Sequence, residues 1–125
     1  MGSWWKRFLI DGEPATELAS ELACEAQVRI VRKEHYSAFR RTRLEGWLRS
    51  LGVTDLVLAG VMTHICVDTT ARDAFMRGFN VVVVHDACAS KDALLHNAAL
   101  LSLSHAVARV CSTRQVTTAL AGGTT

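Results

Sequence analysis

Residues 56 to 89 read LVLAGVMTHICVDTTARDAFMRGFNVVVVHDACA, and this stretch has the pattern of one βαβ unit. Leu56-Val57-Leu58-Ala59-Gly60 is a short continuous apolar run, the mark of a strand buried on both faces. Val67, Ala71, Ala74, Phe75 and Gly78 follow at helical spacing, with Gly78 suited to the left-handed position after a helix end. Asn80 then turns into Val81-Val82-Val83-Val84, β-branched and apolar, so again a buried strand. A parallel pair joined by one right-handed crossover helix is the economical arrangement.

Cys66 falls where the first strand hands over to the helix. The first turn of a helix carries unpaired N–H groups and the positive end of the macrodipole. A thiol placed there is readily held as a nucleophilic thiolate. Ligands of open α/β sheets also bind at the carboxyl ends of the strands. The other reading of Cys66 is a small buried hydrophobe, since free cysteines are often buried.

Composition limits the choices. A chain of 125 residues is one domain, here 1–125, and 50% apolar content lets it build a core. No apolar run is long enough to span a membrane, which takes about 18 residues or more, and no secretory signal is evident at the N-terminus. Cys24, Cys66, Cys88 and Cys111 are widely spaced without a C-x-x-C pair. That argues against a disulfide framework or zinc site and for reduced thiols in the cytoplasm. A net charge of +2 does not suggest a nucleic-acid partner. The arginines between Arg29 and Arg49 lack interleaved aromatics.

Outward from the βαβ unit, Val28-Arg29-Ile30-Val31 alternates as a strand and ends at Lys33. Lys33 would then share a rim with Cys66. Its plain reading is a solvated lysine, and its chemical one is a cation beside a thiolate. Thr42 to Leu51 reads as a helix with a capping box, Thr42 with Glu45, stopped by Gly52. Ser90 would cap a long helix from about Lys91 to Ala106, burying Leu94, Leu95, Ala98, Leu101 and Val107. Val107 to Cys111 reads as a last strand, followed by a short helix to about Leu120. His96 and His105 have no second ligand cluster at workable spacing, so no metal and no cofactor are expected. Cys88 and Cys111 read as packed thiols. Near the N-terminus, Trp4, Trp5, Phe8, Leu9 and Ile10 form an apolar cluster, Asp11-Gly12-Glu13-Pro14 reads as a turn, and Thr16 to Ala23 has helical pattern.

Three motifs go further. Gly60-Val61-Met62-Thr63-His64-Ile65-Cys66-Val67, Thr70-Ala71-Arg72-Asp73-Ala74-Phe75 and Asp86-Ala87-Cys88-Ala89 together resemble the signature of the isochorismatase-like cysteine hydrolases. Lys33-Glu34-His35-Tyr36-Ser37-Ala38-Phe39 resembles the lysine motif of the same family, and the likeness runs from about Trp4 to Val116. The resemblance implies a Rossmann-like, three-layer α/β/α fold around a mainly parallel sheet. It implies hydrolysis of an amide or ureido C–N bond of a small molecule, with Cys66 as nucleophile through a thioester and Lys33 beside it. It assigns the oxyanion hole to the backbone N–H groups of Met62 and Cys66, exposed by a cis peptide at Val61–Met62. Tyr36, Phe39 and His64 flank these residues as substrate-binding walls, with ordinary packing as the alternative. The family members that cleave a vinyl ether have glycine at the nucleophile position, so Cys66 points to the amidase-like branch.

The same family carries a catalytic aspartate at the end of its first strand, in a run like V-I-D-x-Q. No such run occurs here, and Asp11 lies in the later D-G-x-P segment. The expected sheet is therefore shortened to about four strands. In the family's strand order, 3-2-1-4-5-6, a gap or exposed apolar edge would fall beside Leu56–Gly60, and such edges drive association. A homo-oligomer, dimer or larger, follows. The competing function is a non-catalytic assembly or binding protein that keeps the pocket without a full triad.

Overall fold

The computed structural model describes residues 14, 17–20 and 28–122. The chain divides into two compact units, Met1–Ile30 and Val31–Thr125. In the first, Glu17 N donates to Pro14 O (3.3 Å), and residues 17–20 are not helical, against the pattern expected for Thr16 to Ala23. The tryptophan cluster, Asp11 and Cys24 lie outside the described residues.

The second unit is built as α1 (Leu44–Ser50), β1 (Asp55–Val61), a π-helical turn (Thr63–Val67), α2 (Asp68–Met76), β2 (Asn80–Ala89), α3 (Ala93–Ala106), β3 (Arg109–Cys111) and α4 (Thr113–Gly122). The βαβ unit is as expected: β1 and β2 are parallel, Asp55 opposite Asn80 through Leu58 opposite Val83. β3 joins the other side of β2, also parallel, giving the order β1-β2-β3. The fold is a parallel α/β sheet of Rossmann type. Val67, Ala71 and Ala74 bury the inner stripe of the crossover against Val81 and Val83, with Phe39, Phe79 and Leu103 completing the core. No helix among the described residues is long and apolar enough to cross a membrane.

Four expectations are corrected. Val28–Val31 is not a strand, and Val28 and Ile30 are exposed. A strand persists through its ladder, and no strand among the described residues pairs with this stretch. Among the described residues the sheet has three strands, not about four. β1 is not buried on both faces: it alternates between exposed and half-buried positions, with Val61 67% exposed. It is the edge of the sheet, with β2 on one side and no strand on the other among the described residues. α3 buries Ala99 and Leu103, whereas Leu94, Leu95 and Leu101 are exposed. Periodicity alone did not decide this, because α3 is apolar nearly all round.

Caps also differ. Asp92, not Ser90, caps α3, its Oδ1 accepting from Leu94 N (2.7 Å) and Leu95 N (3.3 Å). Thr42 Oγ1 does accept from Leu44 N (3.3 Å), but Glu45 pairs with Arg49 and Arg77 instead of closing a capping box.

Toward the carboxyl end of β2, Asp86 Oδ1 accepts from Thr113 N (2.7 Å) and Thr113 Oγ1 (2.8 Å) at the start of α4. These bonds, the hydroxyl's first, hold the Asp86 carboxyl below the usual aspartate range. A carboxyl lowered in the folded state stabilises above its unfolded value, about 3.9, and that stabilisation is lost as pH falls through the folded value. Thermal melts between about pH 2 and pH 5 are therefore expected to show a steeper acid-side loss in the wild type than in Asp86→Asn. Identical pH profiles would show that this contact carries no linkage.

Candidate active site

The site forms where the carboxyl ends of β1 and β2 feed their loops. At the end of β1 the pairing jumps: Leu58 faces Val83, but Gly60 faces Cys88. Gly60 sits at φ +126°, and the Val61–Met62 peptide after it is cis, as the resemblance implied. The chain then enters the π-helical turn. Met62 O accepts from Ile65 N (3.1 Å) and from Val67 N (3.2 Å), the latter five residues on, which is the π spacing. Cys66 is thus carried in the first turns of a continuous helical run, Thr63–Met76.

This turn is held from both sides. Thr63, fully buried, has Oγ1 2.7 Å from His96 Nδ1 on α3. His64 Nδ1 lies 2.9 Å from Ser90 Oγ, just past β2. Ser90 serves this contact, not the α3 cap. His96, which offered no metal-ligand cluster in the sequence, is a half-buried residue whose ring holds Thr63.

Lys33 reaches Cys66. Its Nζ donates to Cys66 Sγ (3.4 Å), to His35 O (2.7 Å) and to Tyr36 O (3.3 Å). The last two fold the lysine back onto its own loop, which fixes the direction of the ammonium. An ammonium against sulfur attracts the negative charge that sulfur carries as a nucleophile. Among the described residues, none of these three partners of Lys33 is a carboxylate.

The lysine loop docks on α2. Ser37 Oγ donates to Asp73 Oδ2 (2.5 Å), and Arg77 Nε donates to Asp73 Oδ1 (2.8 Å). Hydrogen bonds to charged groups contribute roughly 1.5–3 kcal/mol each when well formed. Thr70 Oγ1 accepts from Ala38 N (3.1 Å) and donates to Tyr36 O (3.4 Å). Phe39, expected as a pocket wall, is only 5% exposed. It stacks on Phe79 with ring centroids 5.9 Å apart. It anchors the loop in the core.

The expected residues therefore separate. Cys66 and Lys33 come together, Met62 and His64 lie in the turn that carries Cys66, and Tyr36 contributes its carbonyl to the lysine. Thr70 and Asp73 were missed as site residues. Their signal was present: Cys66, Thr70 and Asp73 fall at i, i+4 and i+7, a polar stripe beside the apolar one. Cys88 is half-buried opposite Gly60, and burial pushes its thiol above the ordinary cysteine value. No cluster of three or more histidine, cysteine or acidic side chains suited to a metal occurs among the described residues.

Known proteins resemble this chain in sequence and in fold. The chain is 38% identical over 109 residues to nicotinamidase 3 of Arabidopsis thaliana, covering 83% of this chain and 54% of that protein. It is 39% identical over 72 residues to the ureidoacrylate amidohydrolase RutB of Acinetobacter baylyi, covering 58% of this chain and 29% of that one. The crystal structure of an isochorismatase-like hydrolase from Alkaliphilus metalliredigens superposes with a TM-score of 0.86 at 31% identity, covering 90% of this chain and 62% of that one. The chain thus spans about half the length of the first of these relatives. The isochorismatase domain profile matches residues 2–115, and the chain belongs to the isochorismatase family.

Proposed function

We propose that this chain is a cysteine hydrolase acting on an amide or ureido C–N bond of a small molecule. The observation that carries the reading is Lys33 Nζ 3.4 Å from Cys66 Sγ. Cys66 sulfur attacks the carbonyl carbon, and a C–S bond forms as the carbonyl becomes a tetrahedral oxyanion. The N–H groups of Met62 and Cys66 are assigned as its donors. Lys33 protonates the departing nitrogen as the C–N bond breaks, leaving a thioester. Water adds to the thioester, returns a proton to Lys33, and releases the acid and the Cys66 thiolate. Tyr36 and His64 are assigned as walls of the substrate pocket. The relatives' named substrates, nicotinamide and ureidoacrylate, are the first compounds to try.

One observation favours a second reading, a binding protein without turnover: the partners of Lys33 among the described residues include no carboxylate. General acid–base help contributes about 10²–10⁴-fold, so turnover without it would be slow. Both readings meet one experiment. The protein is incubated with each amide, product is followed by chromatography, and the Cys66 peptide is weighed for an acyl adduct. Turnover that disappears in Cys66→Ala supports the hydrolase. Saturable binding by calorimetry with no product and no adduct supports the second reading.

The three described cysteines are free thiols, which supports a reducing, cytoplasmic setting. Self-association is part of the same proposal. Val57 and Val61 on edge strand β1, and Leu94 and Leu101 on α3, are exposed apolar side chains. Light scattering on a sizing column is expected to give a dimer or larger species. A monomer at micromolar concentration would overturn it.

A further inference from the structure

We infer that Thr70 is a positioning residue for the Cys66–Lys33 pair, an inference that rests on the hydrolase reading above. Thr70 lies four residues after Cys66, one helical turn along the same face. Its hydroxyl is buried and fully used, accepting from Ala38 N (3.1 Å) while donating to Tyr36 O (3.4 Å). A hydroxyl can do both at once, having one proton to give and lone pairs to accept with. The Tyr36 carbonyl that Thr70 holds is also an acceptor of the Lys33 ammonium (3.3 Å). A continuous chain of contacts results, from Thr70 Oγ1 through Tyr36 O and Lys33 Nζ to Cys66 Sγ. Both ends of that chain belong to one helical run, so the lysine is referenced to the same rigid element that carries the thiol.

This contact differs in kind from the neighbouring anchors. Ser37 on Asp73 and Phe39 on Phe79 also fix the loop, but neither touches an acceptor of the lysine. Lys33 is a long, exposed side chain with several rotatable bonds. Two carbonyls narrow its choices, and one of them, Tyr36 O, is set by Thr70. Without the hydroxyl, Tyr36 O loses one of its donors, and one of the two guides that aim the ammonium at the sulfur is held less firmly.

The test uses the reaction of Cys66 with iodoacetamide at pH 7, read by peptide mapping, on the whole chain. The raised Cys88 thiol reacts little under these conditions. Lys33→Ala is expected to slow Cys66 alkylation by about tenfold or more, and Thr70→Val by about fivefold. Thr70→Ser, which keeps the hydroxyl, is expected to stay within about twofold of the wild type, as is Ser37→Ala, which loosens the loop without touching Tyr36 O. Circular dichroism confirms that each variant is folded, and Thr70→Ala replaces Thr70→Val should the latter fail to fold. If Lys33→Ala slows alkylation and folded Thr70→Val does not, the Thr70 inference is wrong and the hydrolase reading stands. An equal loss in Thr70→Val and Ser37→Ala also overturns it, showing general loosening of the loop. If Lys33→Ala has no effect, the paired-nucleophile reading fails, and the inference with it.

Discussion

Leu103→Ala is expected to lower the unfolding free energy by about 3 kcal/mol, and Leu101→Ala by less than about 0.5 kcal/mol. The two leucines are two residues apart on α3, and therefore on opposite sides of it. Leu103 is fully buried in the cluster with Phe39, Val67 and Val83, while Leu101 is 74% exposed. Truncating Leu103 removes apolar contact and leaves a cavity that the small neighbours Ala71 and Ala74 cannot fill. Stability in this size range is on the order of 5–15 kcal/mol, so the loss is a large share of it. Urea unfolding followed by circular dichroism makes the comparison. Equal losses from the two leucines would contradict the assigned helix face. Repeating it at two protein concentrations separates the cases further, because a Leu101 effect that depends on concentration belongs to self-association.

Gly60→Ala should cost about 1–3 kcal/mol for a purely backbone reason. A Cβ at Gly60 would meet no atom within 4 Å, so there is no clash. The cost comes from φ +126°, a conformation that L side chains rarely adopt. Gly60 holds that angle where the β1–β2 register jumps, directly before the turn that carries Cys66. Gly46 is the matched control. It also has open space around a Cβ, but it lies inside α1 with no positive φ. Gly46→Ala is expected to stabilise by about 0.5–1 kcal/mol, through helix propensity and a less flexible unfolded chain. Thermal melts of both variants decide it, and a neutral Gly60→Ala would mean the backbone there relaxes without penalty.

Much of the site was readable before any coordinates, because its chemistry sits on local pattern. The strand–turn–helix handover at Cys66 follows from a change of hydrophobic period within a dozen residues, and both parallel strands formed where the valine and leucine runs stood. Lys33 was assigned by motif and meets the thiol, even though the strand meant to deliver it did not form. Its place is set by the loop's docking on α2, through the Thr70 contacts to Ala38 and Tyr36. Phe39 shows the reverse case. A position in the lysine motif looks like a pocket wall, and burial against Phe79 makes it an anchor.

The amino-acid sequence alone was enough to determine the βαβ unit, the place of Cys66 at the strand's carboxyl end and the family. Each of these depends on residues close in the chain, where periodicity and turn chemistry act directly. The tertiary structure decided which face of α3 is buried, and that Thr70, Asp73, Ser90 and His96 hold the site together. Those contacts join residues some 26 to 36 positions apart. An apolar helix or strand says that a face must be covered, but only its neighbours in space determine which one is.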